Sequence, residues 1–213
     1  MQNKTTLEQI KNLISQNDIS FIDIRFTNSS GVWQGLSFLA KDFNFDILNG
    51  LNFEGTNIAP INLSRHFIDP FLAHKTLVFL SEDAKAVLEP STDFSLLIKV
   101  IFEILEDNIN NLYSMPSIDF LAPPYDNAKD IRAEIVQALN AMNVKTYTHY
   151  MLNLQNNKSK HILMLQKTID RMQNIDNIQK TKYAILMVAK AYKIKINTNF
   201  GVFKDYSNPY ILI

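Results

Sequence analysis

Residues 20–39, SFIDIRFTNSSGVWQGLSFL, constrain the fold more than any other stretch. Ile22, Ile24 and Phe26 alternate with Asp23 and Arg25, the period-two pattern of a strand with one buried face. TNSSG supplies turn residues, and VWQGLSFL returns as a second strand, so the segment is a hairpin. A hairpin this early commits the N-terminal part to a sheet. The apolar face of that sheet then needs a covering layer.

The remaining pattern supplies it. Thr5 and Glu8 have capping-box spacing, and Leu7, Ile10, Leu13 and Ile14 recur at helical intervals, predicting a helix over 6–16. KTLVFLSEDAKAVLEP reads as another hairpin, turning at 81–84. STDFSLLIKVIFEILEDN opens on cap-type residues and is predicted to be a helix. SIDFLAPP is a short strand stopped by Pro123 and Pro124. Asp126 then caps a helix striped by Ile131, Ile135, Leu139 and Met142. VKTYTHYM is a strand, IDNIQKTKYAILMVAKAY a long helix with Ile178, Ile185, Ala189 and Tyr192 inward, and KIKINTNF a final strand. Hairpins first, then helix, strand, helix, strand, make an α+β protein in two parts. The Asn-rich LEDNINNLYSMPS region divides 1–107 from 116–213.

Composition narrows the function classes. Hydrophobic residues make up 46% and charged residues 20%, as in ordinary globular proteins. The absence of cysteine excludes disulfides and thiolate metal sites. MQNKTTLEQIKNL lacks the apolar core of a signal peptide, and FSLLIKVIFEIL is too short to span a bilayer. The expectation is a cytoplasmic protein with no membrane segment. Charge is segregated: residues 1–142 hold 10 basic and 18 acidic side chains, and residues 143–213 hold 11 and 3. The basic part either attracts an acidic partner or faces the acidic part within the molecule or an oligomer. No Lys/Arg run, zinc finger or RNA-type aromatic–glycine signature argues for nucleic acid.

Four pieces, in order, resemble the glutamine synthetase family. ISFIDIRFTNSSGVWQG is similar to the family's "vkFvdlrFtD..Gk.q" hairpin, and LNFEGTNI to its "mFDGSSi" loop. PPYDNAKDIRAEIVQALNAMNV resembles its "P.D.a.diR.ei...le.mGi" helix, and IQKTKYAILMVAKAYKIKINTNF its "..KY.v..vA...G..aTF" helix and strand. The resemblance implies a β-grasp N-terminal domain followed by part of the catalytic domain. In the family, ATP phosphorylates glutamate, ammonia displaces the phosphate, and two divalent metals held mainly by Glu with a His neutralise the phosphoryl charge.

The metal ligands have no counterpart. The family's Glu-Pro-Glu strand would fall in DNINNLYSMPSIDFLAPP, where Asp119 is the nearest acid. Its "HHEv...GQ.E" segment would fall on THYM and NNKSKHIL. His149 there could match one His, and the following Glu becomes Tyr150, or Asn153 under a shifted alignment. No Asp or Glu occurs between Ile135 and Ile169, so no gap placement restores them. Lys158 and Lys160 would repel a hard cation. His66, His74 and His161 lack ligand-spaced partners. The last 40 residues contain no Arg, so the family's phosphate- and glutamate-gripping arginines have no match there either. Glu54 takes the place of the family's ammonium-site Asp, as a remnant of that role or a solvated loop acid. Asp23 and Arg25 read as a strand-face ion pair of little value.

Three functions follow. The first is an inactive glutamine synthetase-like protein kept for binding or assembly, with itself or with genuine glutamine synthetase subunits, and needing no metal or cofactor. The second is an ATP-dependent ligase of altered chemistry, which would need ATP with Mg²⁺ or Mn²⁺. The third is a binder of an acidic partner through the basic C-terminal half.

Overall fold

The structure is a computed structural model that describes residues 5–27, 33–53, 56–58, 60–81, 97–105, 129–153, 158–203 and 211–212. The chain divides into two compact units, Met1–Glu89 and Pro90–Ile213.

The first unit opens with helix α1 (Leu7–Gln16) and continues with β1 (Phe21–Thr27), β2 (Trp33–Leu39), β3 (Leu51–Phe53), β4 (Thr56–Ile58), β5 (Ile61–Ile68) and β6 (Thr76–Ser81). Its capping box sits one residue later than the Thr5–Glu8 spacing predicts. The Thr6 hydroxyl accepts the Gln9 N–H at 3.3 Å, and the Gln9 carboxamide accepts the Thr6 N–H at 2.8 Å. That register drives Ile10 into the core and leaves Leu7 39% exposed. The predicted hairpin forms: β1 and β2 pair antiparallel, Phe21 opposite Leu39 through Thr27 opposite Trp33. β6 then joins β1 in parallel, and β5 joins β6 antiparallel, giving the mixed order β2-β1-β6-β5. Ile22, Ile24, Phe26, Leu77 and Phe79 share a core with Ile10. The expected partner arm of β6, residues 82–90, lies outside the described residues.

Arg25 adds to the expected Asp23 pair a closer partner that the strand pattern does not show. Its guanidinium lies 3.4 Å from Asp23 but 2.5 Å from Asp69, whose side chain is fully buried. Asp69 also accepts the Phe71 N–H at 2.9 Å. The guanidinium lies over the Phe67 ring, 5.7 Å from its centroid. The pair is therefore internal, and its long-range member could not be read from spacing on one strand.

The second unit holds β7 (Leu97–Leu105), α2 (Lys129–Ala141), β8 (Thr146–Asn153), β9 (Lys158–Gln166), α3 (Arg171–Ala191), β10 (Ile196–Phe203) and β11 (Ile211–Leu212). Its described strands form an antiparallel sheet in the order β11-β10-β7-β9-β8. The helix predicted across 91–108 is instead the central strand β7. Ile98, Val100, Phe102 and Ile104 alternate along it and are all buried. β-Branched and aromatic residues at that period suit a strand paired on both sides. β7 thereby belongs to the second unit, Pro90–Ile213. The SIDFLAPP strand and the Asp126 cap lie outside the described residues.

The two helical stripes are where the sequence predicts them. Ile131, Ile135, Leu139 and Met142 of α2 are buried, as are Ile178, Ile185 and Ala189 of α3, with Tyr192 half-buried just beyond its end. α3 exceeds the one-sided expectation: every residue from Asn174 to Thr181 is buried, six of the eight being polar. Asp170 caps it, accepting the Met172 and Gln173 N–H groups. Farther along, burial lowers the Lys182 ammonium from its ordinary value by desolvation.

Helices α1, α2 and α3 stop the same way without glycine. Asp18, Asn143 and Lys193 take positive φ of 50°, 61° and 55°. The residues after them bond back to the helix, Ile19 N–H to Ile14, Val144 to Leu139 and Ile194 to Ala189. These are Schellman closures. Asn and Asp tolerate the left-handed region, whereas a lysine there is strained by about 1–2 kcal/mol. Lys193→Gly should therefore raise stability by about 1 kcal/mol in urea unfolding. A loss of stability would show that the lysine's own contacts outweigh the strain.

Candidate functional site

The segments that the resemblance assigns to metal binding form the β8–β9 hairpin, so the two faces of the second sheet decide what the site can hold. Register places Phe102 opposite His161, His161 opposite Met151, and His149 opposite Leu163. These side chains share the face that carries Val100 and Ile104, which is the face α2 covers. Arg132 reaches into it from α2 and is 1% exposed. Its Nε donates to His149 Nδ1 at 3.3 Å, and its Nη1 lies 2.9 Å from His161 Nδ1. A guanidinium has no acceptor, so both imidazole Nδ1 atoms accept and both rings carry their proton on Nε2. His161, fully buried, also stacks on Phe102 with centroids 5.2 Å apart.

This arrangement is unsuited to a metal. The Nδ1 atoms of both histidines are occupied by a cation, and His149 faces the helix layer. His149 is a strand histidine bonded to an arginine. His66 and His74 lie in the first unit. His66 Nδ1 is 2.7 Å from the Leu63 carbonyl, and His74 packs on Phe21.

The opposite face carries Glu103, a residue that reading 91–108 as a helix concealed. Alternation along β7 was the available signal, since it sets Glu103 and Lys99 opposite the apolar row. Glu103 is the one carboxylate on the described strands of this sheet. It stands in register with Lys160 on one side and Asn197 on the other. The Lys160 ammonium is 3.9 Å away, and the Asn197 amide donates to it at 3.2 Å. Ile101 and Ile162, 6% and 1% exposed, make the middle of this face apolar. A hard divalent ion needs several oxygen ligands with negative charge among them. One carboxylate with an ammonium as its neighbour is a poor fit to the two metals of the resemblance. Among the described residues no three His, Asp or Glu side chains group as metal ligands. Glu54 lies in sequence between β3 and β4, and with Asp119 falls outside the described residues.

One polar cleft, of about 170 Å³, lies on this unit. It opens where the end of α2, the ends of the β8–β9 hairpin and the first turns of α3 converge. Asn143, Lys145, Gln166, Thr168, Gln173 and Asn177 line it. Among the described residues no helix is long and apolar enough to cross a membrane.

No family model matches the chain. Curated relatives do. It is 25% identical to a glutamine synthetase of Bradyrhizobium diazoefficiens over 255 residues, covering 89% of this chain and 53% of that protein. A glutamine synthetase of Azorhizobium caulinodans is 24% identical over 88% of this chain and 53% of its own length. The first alignment is longer than the 213-residue chain, so the relative carries segments inside the matched region that this chain lacks. Among solved structures, the Plasmodium falciparum glutamine synthetase superposes with a TM-score of 0.64 at 14% identity, over 91% of this chain and 50% of that one. GmaS without ligand superposes with a TM-score of 0.56 at 15% identity, over 91% and 52%. Sequence and fold thus agree that this α+β chain is a glutamine synthetase-family relative, spanning about half the length of the proteins it matches.

Proposed function

We propose that the chain is a glutamine synthetase-like protein that does not perform ATP-dependent ligation and serves instead by binding, as an assembly partner. The observation that carries this reading is the occupied face of the second sheet. Glu103 is held by Lys160 and Asn197, and His149 is turned to the other side beneath Arg132. Phosphoryl transfer depends on charge neutralisation by metals and cationic side chains, so a sheet without the ligands loses most of the rate. The partners in view are copies of this chain and subunits of a complete glutamine synthetase from the same cell.

Calorimetric titration of ATP with Mg²⁺ or Mn²⁺ into the purified chain should give no saturable heat and no melting shift. A ligand at about 100 times its dissociation constant would stabilise the fold by about 2.7 kcal/mol, several degrees in a protein of this size. Such a shift, or ADP formed in the presence of glutamate and an amine, would establish the altered-ligase reading instead. Light scattering of the chain alone and mixed with the complete enzyme tests the assembly half. A monomer that associates with neither sinks it.

A further inference from the structure

The cleft at the end of the second sheet is built from groups that the glutamine synthetase resemblance does not use. Asn177, on α3, is 4% exposed and lines it. No side-chain hydrogen bond joins the Asn177 carboxamide to a described residue, and its backbone carbonyl accepts the Thr181 hydroxyl at 2.7 Å. The carboxamide is not sealed from solvent; it meets the opening and is available to whatever enters. Lys145 stands at the same opening, exposed and without an ion pair among the described residues. Asn143, Gln166 and Gln173 add three more carboxamides.

Hydrogen bonds hold the frame around these groups on several sides. Asn143 is the left-handed residue of the α2 closure, with φ of 61°. The Gln166 N–H bonds the Lys145 carbonyl at 2.9 Å, fixing the strand ends. Asn174 locks the β9–α3 loop: its Oδ1 accepts the Thr168 N–H, and its amide donates to the Thr168 carbonyl, both at 2.8 Å. Lys180 donates to the Met142 carbonyl at 3.0 Å, tying α3 to the end of α2.

The lining sets the ligand class. It holds one ammonium, four carboxamides, one hydroxyl and no carboxylate. The net charge is positive, which calls for an anion, and the amides offer acceptors as well as donors. A volume of about 170 Å³ is below the ~300–1,000 Å³ of drug-sized pockets. At about 30 Å³ per water it displaces only a handful of waters, which matches a molecule the size of a free amino acid. We propose that this cleft binds a small carboxylate carrying hydrogen-bond donors of its own, with the carboxylate against Lys145 and the donors against the carboxamides around Asn177.

The test uses the full chain and three probes. L-Asparagine is a carboxylate with donors, succinate a carboxylate without them, and inorganic phosphate a bare oxyanion. Amide chemical shifts are followed in each titration. Saturable shifts are expected at Asn143, Gln166 and Asn177 with asparagine, with succinate and phosphate weaker. Lys145→Met and Asn177→Ala should each weaken asparagine binding about tenfold or more, the loss expected for one charge-assisted or buried hydrogen bond. Lys145 is exposed, so Lys145→Met should melt like the parent and keeps the test separate from any packing loss at the buried Asn177. Absence of saturation below about 10 mM, phosphate binding as tightly as asparagine, or binding indifferent to both substitutions overturns the proposal. These outcomes are independent of the ATP titration, because the cleft's lining lies at the end of the sheet and does not include Glu103, Lys160 or Asn197.

Discussion

Arg132→Ala should destabilise the protein by about 3–5 kcal/mol in urea unfolding, close to the limit for one substitution. Two effects add. The arginine is among the largest fully buried side chains, so its removal leaves a cavity. It also leaves the Nδ1 atoms of His149 and His161 without their donor, at about 1–3 kcal/mol for each one that stays buried. Arg132→Met separates the effects. It keeps much of the volume while abandoning the histidines, so it should recover the cavity part only. If Met restores full stability, the histidines find other donors and the hydrogen bonds contribute little.

Asp69→Ala is the second large effect, expected at about 3–5 kcal/mol because it removes the nearer carboxylate of a buried guanidinium and leaves it Asp23 at 3.4 Å. The loss includes the Phe71 N–H, which turns on the same carboxylate. A paired replacement sharpens the prediction. Arg25→Met with Asp69→Leu removes the closer pair and should cost less than the single change, the remaining cost being the Asp23 carboxylate that loses its cation. A single-variant cost below about 1 kcal/mol would place the pair effectively in solvent.

Both predictions concern residues that spacing along the sequence does not connect. Asp69 is 44 positions from Arg25, and His161 is 29 from Arg132. What the sequence did expose was local. The β1–β2 hairpin, α1, α2, α3 and β8 each announce themselves through period, caps or turn residues. β7 was misassigned because an apolar run with cap-type residues before it satisfies a helix as readily as a buried strand. The decision belongs to β9 and β10, which supply its hydrogen bonds from far along the chain. That error hid Glu103, since as a helix residue it had no face in common with Lys160. The acid-free stretch from Ile135 to Ile169 was legible outright, and the hairpin it forms carries lysine where the resemblance expects carboxylate. The cleft was not legible. Its six lining residues come from a helix end, two strand ends, a loop and the next helix, and each alone reads as a polar side chain turned to water.

The central position of β7 also imposes a schedule on synthesis. Both of its hydrogen-bonding neighbours lie downstream, with β9 ending at Gln166 and β10 beginning at Ile196. At about 5–20 residues per second, the roughly 60 residues between β7 and the end of β9 take about 3–12 s to emerge. During that interval LIKVIFEIL has neither edge paired, a strongly apolar strand in search of any partner. The first unit meets no such delay, since β1, β2, β5 and β6 are all made before residue 82. The second unit is therefore where a nascent chain needs protection, and slowing translation beyond β7 should lower the soluble yield of this protein before it affects the fold of the first unit.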